Sequence, residues 1–512
     1  MQEKFYLTTS IPYANADPHI GFVALELLKA DIMARYQRLL GKDVYFLTGT
    51  DEHGQKIYKT AKVAGQPVEK FAAEKSAMFQ NLADQWNISN DDFIRTTEER
   101  HMERAQKFWQ IAQESGDIYK KEYSGLYCMG CEAFKTEKDL VDGKCPDHPN
   151  LTLEVVKEEN YFFRLSKYQE PLEFLFKEKP DFVYPEVKYN EIKNILKSGL
   201  EDISISRSKE KLPWGVPVPG DDSQVMYVWF DALTNYITAL GWGSENQNLF
   251  DKYWPADVHV VGKDINRFHS LLWPAMLMSV GLELPKQIAV HGFIYVDGQK
   301  MSKTVGNVIN PVELTDKYPL DALRYFFARE IPFDNDGDFS YAKFEERYNA
   351  DLANGIGNLT NRILVMIEKY CDSVVPDMTK TDKDLIKFLS KDVWPEYVKN
   401  MTVWRFDKAL DAVWKFLSYC DQLITEKQPW ALIKAGKTEE VQNLLHHLAE
   451  ALRHIAVMIW PVMPETAEKI FVQLGLDISK ELGKQLDEQK NWVPILVGNK
   501  IQKPEALFPR LN

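Results

Sequence analysis

The chain has 512 residues, 45% hydrophobic and 27% charged, with five cysteines and a formal net charge of −13. That length gives about three domains and excludes a lone binding module, and the composition excludes global disorder and a disulfide scaffold. No apolar stretch reaches the ~20 residues of a membrane span, and MQEKFYLTTSIPY is no signal peptide, so a reducing, cytoplasmic setting without a membrane is expected.

Phe5 to Ile11 is rich in aromatic and β-branched residues and reads as a strand. A turn follows from Pro12 to Pro18. From Gly21 to Leu40 apolar residues recur at helical spacing, at Leu25, Leu28, Ile32, Tyr36 and Leu39, and Gly41 ends the helix. Asp43 to Thr48 reads as a second, buried strand. Such a unit implies a parallel sheet with a right-handed crossover. Residues 116 to 225 hold three of the five cysteines and many Lys, Glu and Pro residues, which suggests an inserted domain. The rhythm then resumes, with a strand at Val258 to Val261, a helix at Asn266 to Val280 and a strand at Gln287 to Val296. Beyond Tyr341 the pattern is helical, as in Leu359, Ile363, Met366, Ile367 and Leu410, Val413, Trp414, Leu417, and a bundle is expected.

Two short motifs carry phosphate chemistry. Pro18-His19-Ile20-Gly21 lies at the turn from the first strand into the first helix, where free N–H groups and a positive dipole end attract phosphate. Gly298-Gln299-Lys300-Met301-Ser302-Lys303-Thr304 suits a loop that closes two lysines over phosphate. Each motif alone is more often an ordinary surface loop. A third motif stands by its spacing: Cys128-X2-Cys131-X13-Cys145-X2-His148 offers three thiolates and an imidazole as a closed tetrahedron, so one structural zinc ion is expected. Cys371 and Cys420 fall in apolar helical contexts and read as core.

Taken together, His19-Ile20-Gly21-Phe22 and Lys300-Met301-Ser302-Lys303-Thr304 resemble the two signatures of class I aminoacyl-tRNA synthetases. The intervening segments Gly49-Thr50-Asp51-Glu52-His53-Gly54, Ile203-Ser204-Ile205-Ser206-Arg207, Tyr227-Val228-Trp229-Phe230-Asp231-Ala232-Leu233 and Gly262-Lys263-Asp264 resemble the methionyl-tRNA synthetase family in particular, and the likeness runs from Lys4 to Arg510.

The resemblance implies an α/β fold, with a Rossmann-type catalytic domain in two halves (1–115 and 226–325). A zinc-bearing insert (116–225), a linking stem (326–350) and an all-α anticodon-binding bundle (351–512) complete the expected order. It implies ATP-dependent attachment of L-methionine to tRNA(Met) by a monomer, with Mg²⁺ on ATP. It assigns His19, Lys300 and Lys303 to catalysis, and the same three with Gly21 to ATP. Methionine is assigned to Ile11, Tyr13, Asp51, Trp229, Ala232, Leu233, Tyr236, Ile265, Phe268, His269 and Trp273. Arg207 and Asp264 support the site, and Asn358, Arg362 and Trp430 read the anticodon. A thioether favours such aromatic walls, and the substrate ammonium needs a carboxylate, here Asp51.

Two features depart from the family pattern. Phe22 stands where the first signature has a second histidine, and a phenyl ring donates nothing to phosphate. Glu26 and Asp31 lie one position later than the family's acidic residues; a π-bulge would absorb the extra residue, and Glu26 is assigned no role. The alternatives are a synthetase for valine, isoleucine or cysteine, and a non-catalytic RNA-binding relative. The charge of −13 by itself disfavours a nucleic-acid partner. A tRNA substrate therefore requires a local basic track along the insert, the active-site mouth and the bundle face carrying Arg362.

Overall fold

The computed structural model describes residues 2–130, 133–135, 140–146, 148–301 and 306–511. They divide into two compact units, one of residues 4–30 and 45–291, the other of residues 1–3, 31–44 and 292–512.

The first unit is built on a six-stranded sheet. Its strands are β1 (Lys4–Thr9), β2 (Asp43–Thr50), β3 (Asp92–Arg95), β4 (Val183–Tyr184), β5 (Val258–Gly262) and β6 (Ile288–His291), in the order β3-β2-β1-β5-β6-β4. Pairing is parallel for β2 with β3, β1 with β5, β5 with β6 and β6 with β4; Leu7 faces Val258 and His259 faces Ile288. Every residue of β5 and β6 is buried, as expected of parallel strands covered on both faces. From β1 the order runs outward through β2 and β3 on one side and through β5 and β6 on the other. The crevice between β1 and β5 is thus a topological switch point, where open α/β sheets bind ligands at the carboxyl ends of their strands. Residues 118–226 of this unit form two further antiparallel sheets. One joins Ala133–Lys135, Ile118–Cys128, Glu154–Phe163 and Ile203–Ser204; the other joins Pro217–Val218, Asp221–Met226 and Ser206–Ser208.

The helix after β1 runs from Ile20 to Leu39 in three parts: an α turn to Phe22, a π segment Val23–Leu27 and an α-helix Leu28–Leu39. The extra residue read from the sequence sits in that π segment. Gly41, with a φ of 82°, ends the run.

One strand expectation needs correction. Gln287 to Val296 is not a single strand: Ile288–His291 closes the parallel sheet, and Ile294–Val296 starts a small sheet with Gln299–Lys300 and Gly337–Phe339. Both pieces are apolar and largely buried, so hydropathy alone does not show that the chain changes sheet between them.

The second unit is mostly helical, with long helices at Phe406–Lys427 and Thr438–Ile459. Fully buried Arg324 lies in its core. The guanidinium donates to Asp31 Oδ2 at 2.5 Å and to the carbonyls of Val462 at 2.8 Å and Pro461 at 3.2 Å. Asp31 also accepts from Arg35 Nε at 2.8 Å, and Arg35 lies 5.3 Å from the centre of the Trp460 ring.

Candidate functional site

At the carboxyl end of β1, His19 caps the helix that follows. Its backbone is extended (φ −125°, ψ 162°), and Nδ1 accepts the Gly21 N–H at 3.1 Å. The proton of the neutral ring therefore sits on Nε2, and the exposed imidazole joins the helix N-terminus as a donor to an anion. Phe22 takes no part in this. Its ring packs edge-on against Phe79 with centroids 5.7 Å apart, an apolar contact that a histidine would fill less well.

The residues expected around methionine gather at the ends of β1, β2 and β5. Trp229 and Phe268 stack with centroids 4.1 Å apart and planes 6° from parallel, and Tyr13 stands edge-on to Trp229 at 6.4 Å. Ile11, Tyr13, Trp229, Ile265 and Phe268 are half-buried against the core that contains Leu233, Tyr236 and Trp273. Ala232 is buried beside Leu233. Trp273 is fully buried among Phe108, Tyr236 and Trp254, so it backs the pocket.

Hydrogen bonds fix the two polar groups of the pocket. His269 Nδ1 lies 3.1 Å from the Ile265 carbonyl and must donate to it, so Nε2 accepts the Tyr236 hydroxyl at 2.7 Å. Burial pushes the His269 pKa down from 6.5 to about 4, outweighing the opposite pull of the Ile265 carbonyl. Between those values the unfolded chain binds a proton that the folded chain refuses. Stability therefore rises with pH from about 4 to 6.5 and levels off above, and this contribution is lost as the pH falls through that window. A Tm profile across the window should be less steep for His269→Gln than for the parent; identical profiles would refute the assignment.

Asp51, at the end of β2, is held by its backbone. Its N–H donates to Pro12 O at 2.9 Å, its carbonyl accepts Ala14 N–H at 2.8 Å, and its Oδ1 accepts the His53 N–H at 3.2 Å. Next to it, Glu52 is clamped by Arg95 at 2.6 and 2.9 Å and by Thr97 at 2.7 Å. Arg207 lies between the rings of Tyr227 and Tyr127 and donates to Ser204 Oγ at 3.0 Å and Ser206 O at 2.7 Å. Asp264 is exposed in the turn after β5.

In the metal motif, Cys128 and Cys145 are fully buried. Cys128 Sγ is 3.9 Å from His148 Nδ1, and the donor atoms of Cys128, Cys145 and His148 all lie within 4.8 Å of one another. The His148 N–H donates to Cys145 O at 3.2 Å and closes the knuckle turn. A Cβ on Gly130 would come within 2.4 Å of the His148 ring, so glycine is required there. Two sulfurs and a ring nitrogen fit one soft divalent ion. Cys131 lies outside the described residues.

Lys300 is exposed on a hairpin turned by Asp297 and Gly298, at φ values of 50° and 74°. Two successive positive φ values make the tight primed turn that Asp-Gly favours. Its Nζ is 5.4 Å from the Phe293 ring centre. Lys303 lies outside the described residues. In the helical unit, Asn358 is exposed at the start of the helix Asn358–Tyr370, and Trp430 is 43% exposed beside Pro429. Arg362 forms an ion pair with Asp421, so its charge is locally balanced.

The partners of several buried groups were invisible to sequence reading. Glu26, in the π segment, accepts the Ser10 N–H at 2.6 Å and pairs with His291 at 3.1 Å. His259 lies 2.7 Å from Thr8 Oγ1, accepts the Trp273 indole N–H at 3.3 Å and packs on Tyr236 with ring centres 4.2 Å apart. Behind Trp229, Asp231 lies between His53 and His101.

Residues 5–152 and 148–364 match the family described as tRNA synthetases class I (M), and residues 375–512 match the anticodon binding domain of methionyl tRNA ligase. The chain is 46% identical to the methionine–tRNA ligase of Caldanaerobacter subterraneus subsp. tengcongensis, over 100% of this chain and 80% of that protein. With the methionine–tRNA ligase of Rhizobium meliloti the identity is 44%, covering 99% and 98%. The crystallised Mycobacterium tuberculosis methionyl-tRNA synthetase in complex with methionyl-adenylate superposes with a TM-score of 0.94 at 39% identity, covering 99% of this chain and 100% of that one. Two family matches that together reach from residue 5 to residue 512, on a fold that brings Asp51 and an aromatic cluster to the strand ends beside its switch point, assign the chain to the methionyl-tRNA synthetases, members of class I.

Proposed function

We infer that the chain joins methionine to ATP as methionyl-adenylate and then passes it to tRNA(Met), with release of pyrophosphate and AMP. The observation that carries this reading is the gathering of a strapped carboxylate and an aromatic cluster at the ends of β1, β2 and β5, in the unit that also holds the His19-capped helix start. Asp51 receives the ammonium, and Tyr13, Trp229 and Phe268 hold the thioether chain, with Ile11, Ala232, Leu233 and Ile265 around it and Trp273 behind. Neutral His269 keeps the Tyr236 hydroxyl turned toward the pocket.

A methionine carboxylate oxygen then attacks the α-phosphorus as the bond to pyrophosphate breaks. No protein nucleophile is needed, so the residues act by positioning and by charge. His19, the helix start at Gly21, Lys300 and Lys303 hold the phosphates together with ATP-bound Mg²⁺. Arg207 and Asp264 support the site. In the second step a ribose hydroxyl at the tRNA end attacks the adenylate carbonyl and AMP leaves.

Cys128, Cys131, Cys145 and His148 hold one zinc ion, which would lock the insert and takes part in no step. Asn358, Arg362 and Trp430 read the anticodon, and Arg362 gives up Asp421 to do so. The five-segment division of the chain, a monomeric state, a cytoplasmic location and a basic track toward the bundle belong to the same proposal. Among the described residues no helix is long and apolar enough to cross a membrane.

ATP–pyrophosphate exchange tests the first step. Exchange should depend on methionine, and equal stimulation by leucine or isoleucine would sink the reading. Trp430→Ala should spare exchange while lowering tRNA charging by about ten- to a hundredfold, since a lost base stack costs ~1–3 kcal/mol. Parallel losses in both assays would refute that division of labour.

A further inference from the structure

A buried carboxylate with two imidazoles lies on the helix that bears Trp229, and the scheme above does not use it. Asp231 sits on the helix Val228–Ala232, two residues after Trp229 and next to Ala232, and is fully buried. Its Oδ2 is 2.7 Å from His53 Nδ1, and its Oδ1 is 2.8 Å from His101 Nε2. On the far side, His101 Nδ1 lies 2.8 Å from Thr238 Oγ1. His53 is two residues beyond Asp51 and edge-on to Trp214 at 5.3 Å; the Trp214 indole N–H donates to the Glu52 carbonyl at 2.6 Å.

A carboxylate without water is costly unless its oxygens receive good donors. Burial pushes the Asp231 carboxyl up, but the two imidazoles outweigh it and hold the group at about 2. It therefore stays ionised and ties its own helix, which bears Trp229 and Ala232, through His53 to the segment bearing Asp51 and through His101 to the helix Glu99–Glu114.

We propose that Asp231, gripped by His53 and His101, is a positioning residue that fixes the span from the Asp51 carboxylate to the Trp229 wall and so selects an amino acid of methionine's length. This rests on the reading of the pocket given above.

The test is exchange kinetics of the full chain with methionine, norleucine and ethionine. Asp231→Asn keeps the shape but turns an N–H toward one imidazole N–H. It should raise KM for methionine by about ten- to a hundredfold, the scale of an ångström's misplacement. KM for ATP should stay within about twofold, and the preference for methionine over ethionine, one carbon longer, should narrow while that over norleucine, of methionine's own length, should hold. His101→Gln restores a donor near Nε2 and should stay close to the parent, whereas His101→Leu should follow Asp231→Asn. That pair carries the test if Asp231→Asn does not fold. A folded Asp231→Asn chain with unchanged methionine KM, or His101→Gln and His101→Leu behaving alike, would overturn the proposal. Parent chain without methionine-dependent exchange would overturn the pocket reading and this proposal with it.

Discussion

An Asp51→Asn chain should lose kcat/KM for methionine by a factor on the order of 10²–10³, while KM for ATP stays within about twofold. Asparagine matches aspartate in shape and keeps the acceptor that the His53 N–H uses at 3.2 Å. The backbone bonds to Pro12 and Ala14 do not depend on the side chain. The substitution keeps these bonds and removes the charge that the proposed site sets opposite the substrate ammonium. Asp51 is buried, and an unmatched charge there is expensive. Exchange rates across a methionine series, with a thermal melt as control, measure the loss. An unchanged methionine KM would move the amino-group anchor elsewhere.

The second large effect concerns stability. Arg324→Ala should destabilise the helical unit by about 3–5 kcal/mol, because Asp31 and two carbonyls lose a partner they cannot replace with water. In a unit of this size that corresponds to a fall in Tm on the order of 10 °C. Arg324→Met with Asp31→Leu should recover little of the loss, since buried Arg35 then loses the Asp31 carboxylate 2.8 Å away. A loss below ~1 kcal/mol in Arg324→Ala would show that water reaches Asp31.

Much of this arrangement was legible in the sequence because it is local. The runs around Leu7 and Val260 show their strands, Gly41 shows a helix end, and the motif residues lie in turns that follow strands. The cysteine and histidine spacing brings three donors together as expected. What stayed hidden depends on distant partners. His53 and Asp231 are 178 positions apart, His101 and Asp231 130, and Glu26 and His291 265. No periodicity encodes such pairs. The break between Ile288–His291 and Ile294–Val296 was hidden for a different reason, since burial looks the same in either sheet. Net charge misled because a total of −13 has no location.

The π segment Val23–Leu27 has a consequence for how this helix tolerates change. A wide turn takes up one residue more than an α turn while returning the following residues to the same face. The turn acts as a length buffer within the helix: it holds one residue more than an α turn without breaking the run from Ile20 to Leu39.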